Sequence, residues 1–194
     1  MITIGRTMKY ARELHRGDVD QLGRPYHTHL ERVLRHLKRL FPDADEAVQH
    51  AALLHGSVEE KKTTLAALRD AGYSQEIVQM IAWNTRPRGE GAPAYLDWIR
   101  ELAEHAPLGA VMIKIADNED NNDPERIARL PEEQRDVSEV YARARQILDA
   151  ALKRRSAMAE AAKRPRFHNV IRSERPNLSA RQPSGSGRRG RDDI

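Results

Sequence analysis

Hydrophobic residues along this chain recur at helical spacing and rarely with the two-residue period of a strand. Leu30, Val33, Leu34, Leu37 and Leu40 make one apolar stripe on a helix that ends near Phe41-Pro42. Ala47, Val48, Ala51, Ala52, Leu53 and Leu54 form the next, more continuously apolar and therefore buried and central. Thr63-Thr64 cap a short helix to Ala71, Gly72 ends it, and Ser74 opens another through Ile77, Val78 and Ile81. Arg86 to Pro93, rich in Gly, Pro and Arg, is a loop, followed by helices over Tyr95 to Ala103 and Leu108 to Ala116, the second delivering Asp117 at its end. Pro124 and Pro131 stand at first-turn positions of two further helices. From Val137 through Tyr141, Ala144, Leu148 and Leu152 the stripe holds its period and then fades. The expected fold class is all-α.

Beyond Ser156 apolar content collapses, down to the closing PSGSGRRGRDDI. Such a segment cannot offset the entropy of ordering, so helix is expected to about residue 160 and disorder after it. The division expected is a domain over 1–155 and a basic tail over 156–194. Charge follows it: residues 153–194 hold 12 Lys/Arg against 4 Asp/Glu, leaving 21 against 25 for residues 1–152. The tail invites salt-sensitive, sequence-independent binding to nucleic acid; a solubilising extension is the plainer reading.

With no cysteine among 194 residues, disulfides and thiolate metal sites are excluded. The start, MITIGRTMKYAREL, lacks the apolar run of a secretory signal, and no later run approaches the roughly 20 apolar residues of a membrane span. A soluble, unprocessed, cytoplasmic chain is expected. The sequence does not determine its oligomeric state.

Four segments read together as one site: Pro25-Tyr26-His27-Thr28-His29; His55 with Glu59 and Glu60; Lys114-Ile115-Ala116-Asp117; and Asn118 to Asn122. Each puts imidazole, carboxylate or amide groups at the edge of an apolar helix, where a polar group needs a reason to be. Imidazole with carboxylate suits manganese, iron or zinc, and a bound metal turns water into a hydroxide nucleophile near neutral pH. Should the helix continue past His55, Glu59 would lie on the same face one turn on, placed to orient a water or touch the metal.

The order and wording of these segments resemble the HD-domain superfamily, and within it the guanosine polyphosphate (ppGpp) 3′-pyrophosphohydrolase domain of RelA/SpoT-type proteins. The resemblance runs through ARELHRGDVDQLGRPYHTHLERV, AALLHGSVEE, IAWNTRPRGEGAPAYLDWI and VMIKIADNEDNNDPERIARLP, roughly residues 6 to 150. It implies an all-α HD fold, a divalent cation with manganese the first expectation, and a nucleotide substrate such as ppGpp. By similarity His29, His55 and Asp117 are metal ligands. Glu59 and Glu60 fall on the Glu-Asp pair that handles the attacking water, Asn121 on an active-site Asn, and Arg86 on a basic residue placed to meet substrate phosphates.

The departures bear on activity. Gly56 stands where the family has the metal-binding Asp of its His-Asp pair, Glu60 where Asp is usual, Leu30 where Pro follows the His, and Asp18 and Gln21 where Gln and Lys are common. Changes around a metal's ligands typically cost about 10–100-fold in affinity or activity, and losing an anionic ligand costs at least that. An impaired hydrolase is therefore expected, unless Ser57, Glu59 or water replaces the ligand. The alternative is an inactive HD-domain protein that binds a nucleotide, protein or nucleic acid without turnover. Plainer readings exist for single residues: His29 and His55 as core histidines, Asp117 as a helix-terminal residue opposing the dipole, Asn118 to Asp123 as a polar turn. His27, Lys61 and Lys62 read as surface, and His15 equally as structural or as a cleft residue.

Overall fold

The computed structural model describes residues 2–91 and 93–163, and among them the fold is all-α. The sole strand-like pairing described is an isolated bridge between Val19 and Pro25. The disorder expected of the basic tail falls on residues 164–194, outside the described ones. No described helix is long and apolar enough to cross a membrane.

The helices are α1 (Ile4–Leu14), α2 (His27–Leu40), α3 (Glu46–Leu54), α4 (Leu65–Asp70), α5 (Gln75–Asn84), α6 (Tyr95–His105), α7 (Leu108–Asn121), α8 (Pro124–Arg129) and α9 (Val137–Lys163). Side-chain oxygens start several of them by accepting an otherwise orphaned backbone N–H: Asp45 Oδ1 from Val48 at 2.9 Å, Thr64 Oγ1 from Ala67 at 3.1 Å, Ser74 Oγ from Ile77 at 3.4 Å. The Asp45 cap sits at the head of the helix that leads to His55. Asp45→Ala is expected to cost about 1 kcal/mol in urea denaturation, with Asp45→Ser retaining most of the stability.

α7 packs against α2, α9, α5 and α3, and α3 also meets α1, α2 and α5. Leu53, Leu54, Ile81, Ile113 and Ile115 are wholly buried where these helices meet. The α2 stripe behaves as its spacing predicts, with Leu30, Val33, Leu34 and Leu37 all buried.

Three local expectations are corrected. α7 does not stop before Asp117 but runs on to Asn121, so Asn118 to Asn121 is helix rather than turn, and Asp117 lies a full turn inside the end. Buried polar residues, not apolar ones, carry that last turn: Asp117, Asn118 and Asp120 are all buried. Pro131 leads only a three-residue 3-10 turn, Glu132–Gln134, and the last helix begins at Val137. Finally, α3 stops at Leu54, because Ser57 turns back and donates its hydroxyl to the Leu54 carbonyl at 2.7 Å. Glu59 therefore reaches the site from a turn, not from one helical turn beyond His55.

Candidate metal centre and nucleotide cavity

Two imidazoles and one carboxylate converge between α2, α3 and α7. His29 lies in the first turn of α2, His55 caps the end of α3, and Asp117 comes from the polar end of α7. The Nε2 atoms of His29 and His55 stand 3.3 and 3.5 Å from Asp117 Oδ1, and one ligand atom from each residue lies within 4.8 Å of the others. All three residues are buried.

The far side of each ring is anchored. His29 Nδ1 donates to Asp120 Oδ2 at 2.7 Å, and His55 Nδ1 donates to the Ala52 carbonyl at 2.8 Å. Anchored so, both rings turn Nε2 inward, the arrangement in which an imidazole serves a metal. Asp120 is itself clamped by Arg32, whose Nε and Nη2 donate at 2.6 and 3.1 Å. Burial pushes the Asp120 carboxyl up, but His29 and Arg32 outweigh it and hold it at about 2.

Asp117 has partners of its own. Lys114 Nζ donates to Oδ2 at 2.9 Å and Asn121 Nδ2 to Oδ1 at 2.8 Å. Burial raises its pKa, yet Lys114 and the two imidazoles overcome that and leave it ionised far below the usual carboxylate range. Lys114 also stands 4.7 Å above the Trp98 ring, a cation–π contact that helps hold a buried ammonium.

These residues form the floor of a cavity of about 790 Å³, large enough for a nucleotide. Glu59, Glu60, Asn121 and Arg86 all line it, so every site residue expected from the sequence faces one space. Their partners differ, however. Glu59 accepts from Arg88 at 3.3 Å and the Arg86 backbone at 3.5 Å, and Glu60 accepts from Arg88 at 3.2 Å, at the exposed rim. Arg86 donates Nη2 to the Pro93 carbonyl at 2.9 Å and lies 5.7 Å over the Tyr95 ring, with its buried Nε unpartnered among the described residues. Tyr95, Trp98 and Tyr141 give this side of the cavity an aromatic wall.

His15 is buried behind that space: its ring lies 4.5 Å from Tyr26 and its Nδ1 is 3.1 Å from Asp18 Oδ2. Lys62, read from sequence as part of a solvated run, pairs with Asp18 at 2.7 Å on the cavity edge. His27 is half-buried on α2 and is not among the residues lining the cavity.

Sequence reasoning gave no role to Asp120, Lys114 or Tyr26. The first two carried a usable signal: once α7 is extended through Asn121, positions 114, 117, 120 and 121 share one helical face. Tyr26 carried none, because what it meets is residue 56, brought to it only by folding. A Cβ built on Gly56 would collide with the Tyr26 hydroxyl and lie 3.4 Å from its Cζ.

No family model matches the sequence, and no curated protein matches it either. Among solved structures the chain is similar to a metazoan orthologue of SpoT, described as hydrolysing ppGpp and playing a role in starvation responses. The TM-score is 0.64 at 21% identity, covering 80% of this chain and 96% of that one. At this identity the similarity establishes the fold alone: this chain has the all-helical architecture of that protein.

Proposed function

We propose that this chain binds a guanosine-polyphosphate-type nucleotide in the cavity and hydrolyses it slowly as a ppGpp 3′-pyrophosphohydrolase with a weakened manganese centre. The observation that carries the proposal is the convergence of two inward-facing Nε2 atoms on Asp117 Oδ1 at 3.3 and 3.5 Å, each ring locked from behind. That donor set fits a divalent cation, with His29, His55 and Asp117 holding it. When bound, such an ion polarises a phosphoryl oxygen and lowers the pKa of water in its shell.

The chain's own residues do the rest. Asp120 and the Ala52 carbonyl fix both rings, and Lys114 keeps Asp117 anionic. Glu59 and Glu60 stand on the wall and rim to orient the attacking water and take its proton. Arg86 and Arg88 at the mouth offer guanidinium groups to the phosphates, which suit their planar fork of donors. Gly56 offers no carboxylate, and activity at least 10–100-fold below that of an intact centre follows.

Pyrophosphate release from ppGpp tests this, measured with manganese and with a chelator, for the unmodified chain and for His29→Ala. Slow release that needs manganese and vanishes in the variant is expected; release that persists in the chelator would sink the metal-dependent reading. One observation favours a second reading, nucleotide binding without turnover: Lys114 and Asn121 donate one to each oxygen of Asp117 and so compete with a cation for it. Tight ppGpp binding with no release under any condition selects that reading instead.

A further inference from the structure

Gly56 is not required by its own backbone, whose φ lies outside the left-handed region that favours glycine. What demands glycine there is Tyr26. The phenol occupies the space in which a side chain at 56 would begin, so any residue with a Cβ there would have to displace it. The ring is backed by the buried His15 at 4.5 Å and flanked by His29 at 5.4 Å. Tyr26 lines the cavity, and its hydroxyl lies within one carboxylate's reach of where the Cβ of residue 56 would stand.

The other oxygens near this gap already have partners of their own. Ser57 is fully buried and spends its hydroxyl on the Leu54 carbonyl. Glu59 is engaged by Arg88 and the Arg86 backbone. We propose that Tyr26 supplies the oxygen donor missing at position 56, acting with His29, His55 and Asp117 toward the divalent cation, so that Gly56 and Tyr26 form a matched pair. This rests on the metal-centre reading above and adds a residue to it. A phenol in place of a carboxylate is a weaker donor to a divalent cation, so cation binding weaker than at a two-carboxylate site is expected.

The pairing also means that Gly56→Asp alone puts a carboxylate into space already filled. Free manganese can be counted by electron paramagnetic resonance during titration of the unmodified chain, Tyr26→Phe, Gly56→Asp and Gly56→Asp with Tyr26→Phe. Thermal melting of each variant reports folding, and binding of a fluorescent guanosine diphosphate is measured separately. Expected results are a roughly tenfold loss of manganese affinity in Tyr26→Phe with its melt preserved, no gain from Gly56→Asp alone, and a roughly tenfold or greater gain in the double variant over Gly56→Asp. Unchanged manganese affinity in a folded Tyr26→Phe overturns the role of Tyr26 and leaves the hydrolase reading standing, as does a full gain from Gly56→Asp alone. Absence of manganese binding in every variant, the double one included, overturns both, while nucleotide binding then shows whether the cavity itself was read correctly.

Discussion

Asp117→Ala is expected to destabilise the protein by about 3–5 kcal/mol and to abolish cation uptake together. The side chains of Asp117 and Lys114 are only 8% and 6% exposed, so their contact at 2.9 Å is an ion pair taken out of water. Removing the carboxylate leaves the ammonium with the Trp98 ring as its remaining described support, and leaves Asn121 without its acceptor. Truncating one member of such a pair costs far more than the pair contributes, because the survivor is a buried, uncompensated charge. Urea denaturation of Asp117→Ala, Lys114→Met and the double variant Lys114→Met with Asp117→Leu separates the two effects. Both single variants should be strongly destabilised and the double variant clearly less so, since an apolar pair of similar volume removes both charges. Manganese binding should be lost wherever Asp117 is lost. A single variant within about 0.5 kcal/mol of the unmodified chain, the range of an ordinary surface change, would show that the pair is not buried as described.

The helices were readable in the sequence to the extent that apolar contacts make them. Leu30 to Leu40 and Ala47 to Leu54 announce α2 and α3 by period alone, and the oxygens of Thr64 and Ser74 mark where α4 and α5 begin. The end of α7 was not readable in this way. Its last turn is held by Lys114, Asn121 and the imidazoles acting on Asp117, and by Arg32 and His29 acting on Asp120; all but the first two come from other helices. The same limit applies at Ser57, whose hydroxyl bonds backward and ends α3 where the apolar pattern would allow it to continue. The convergence of His29, His55 and Asp117 was legible through motif order, although composition would not have shown it. The tenancy of the space beside Gly56 was invisible, because Tyr26 reaches it across 30 residues of chain from another segment.

That segment is held in place by Asp20, and Asp20 makes the stability of this protein acid-sensitive. Its buried carboxylate accepts from the Leu22 and Arg24 backbones at 2.9 and 3.1 Å, from Arg24 Nε at 3.2 Å and from Arg126 Nη1 at 3.0 Å. The turn continues through Tyr26, whose N–H donates to the Asp18 carbonyl at 2.9 Å. Burial raises the Asp20 pKa, but the Arg24 and Leu22 amides and Arg126 override it, and the group is lowered from 3.8 to about 2. A carboxyl depressed by folding stabilises the native state once both states are ionised, and that contribution is lost as pH falls from about 4 through about 2. At neutral pH it amounts to about 2 kcal/mol, taking each pKa unit as about 1.4 kcal/mol. Asp20→Asn keeps the shape and one acceptor while removing the charge, so it mimics the protonated form at every pH. The stability difference between the two proteins, from urea denaturation, should be about 2 kcal/mol near neutral pH and shrink toward zero as pH approaches about 2. A difference that stays constant from neutral to acid pH would mean that the turn relies on the shape of Asp20 and not on its charge.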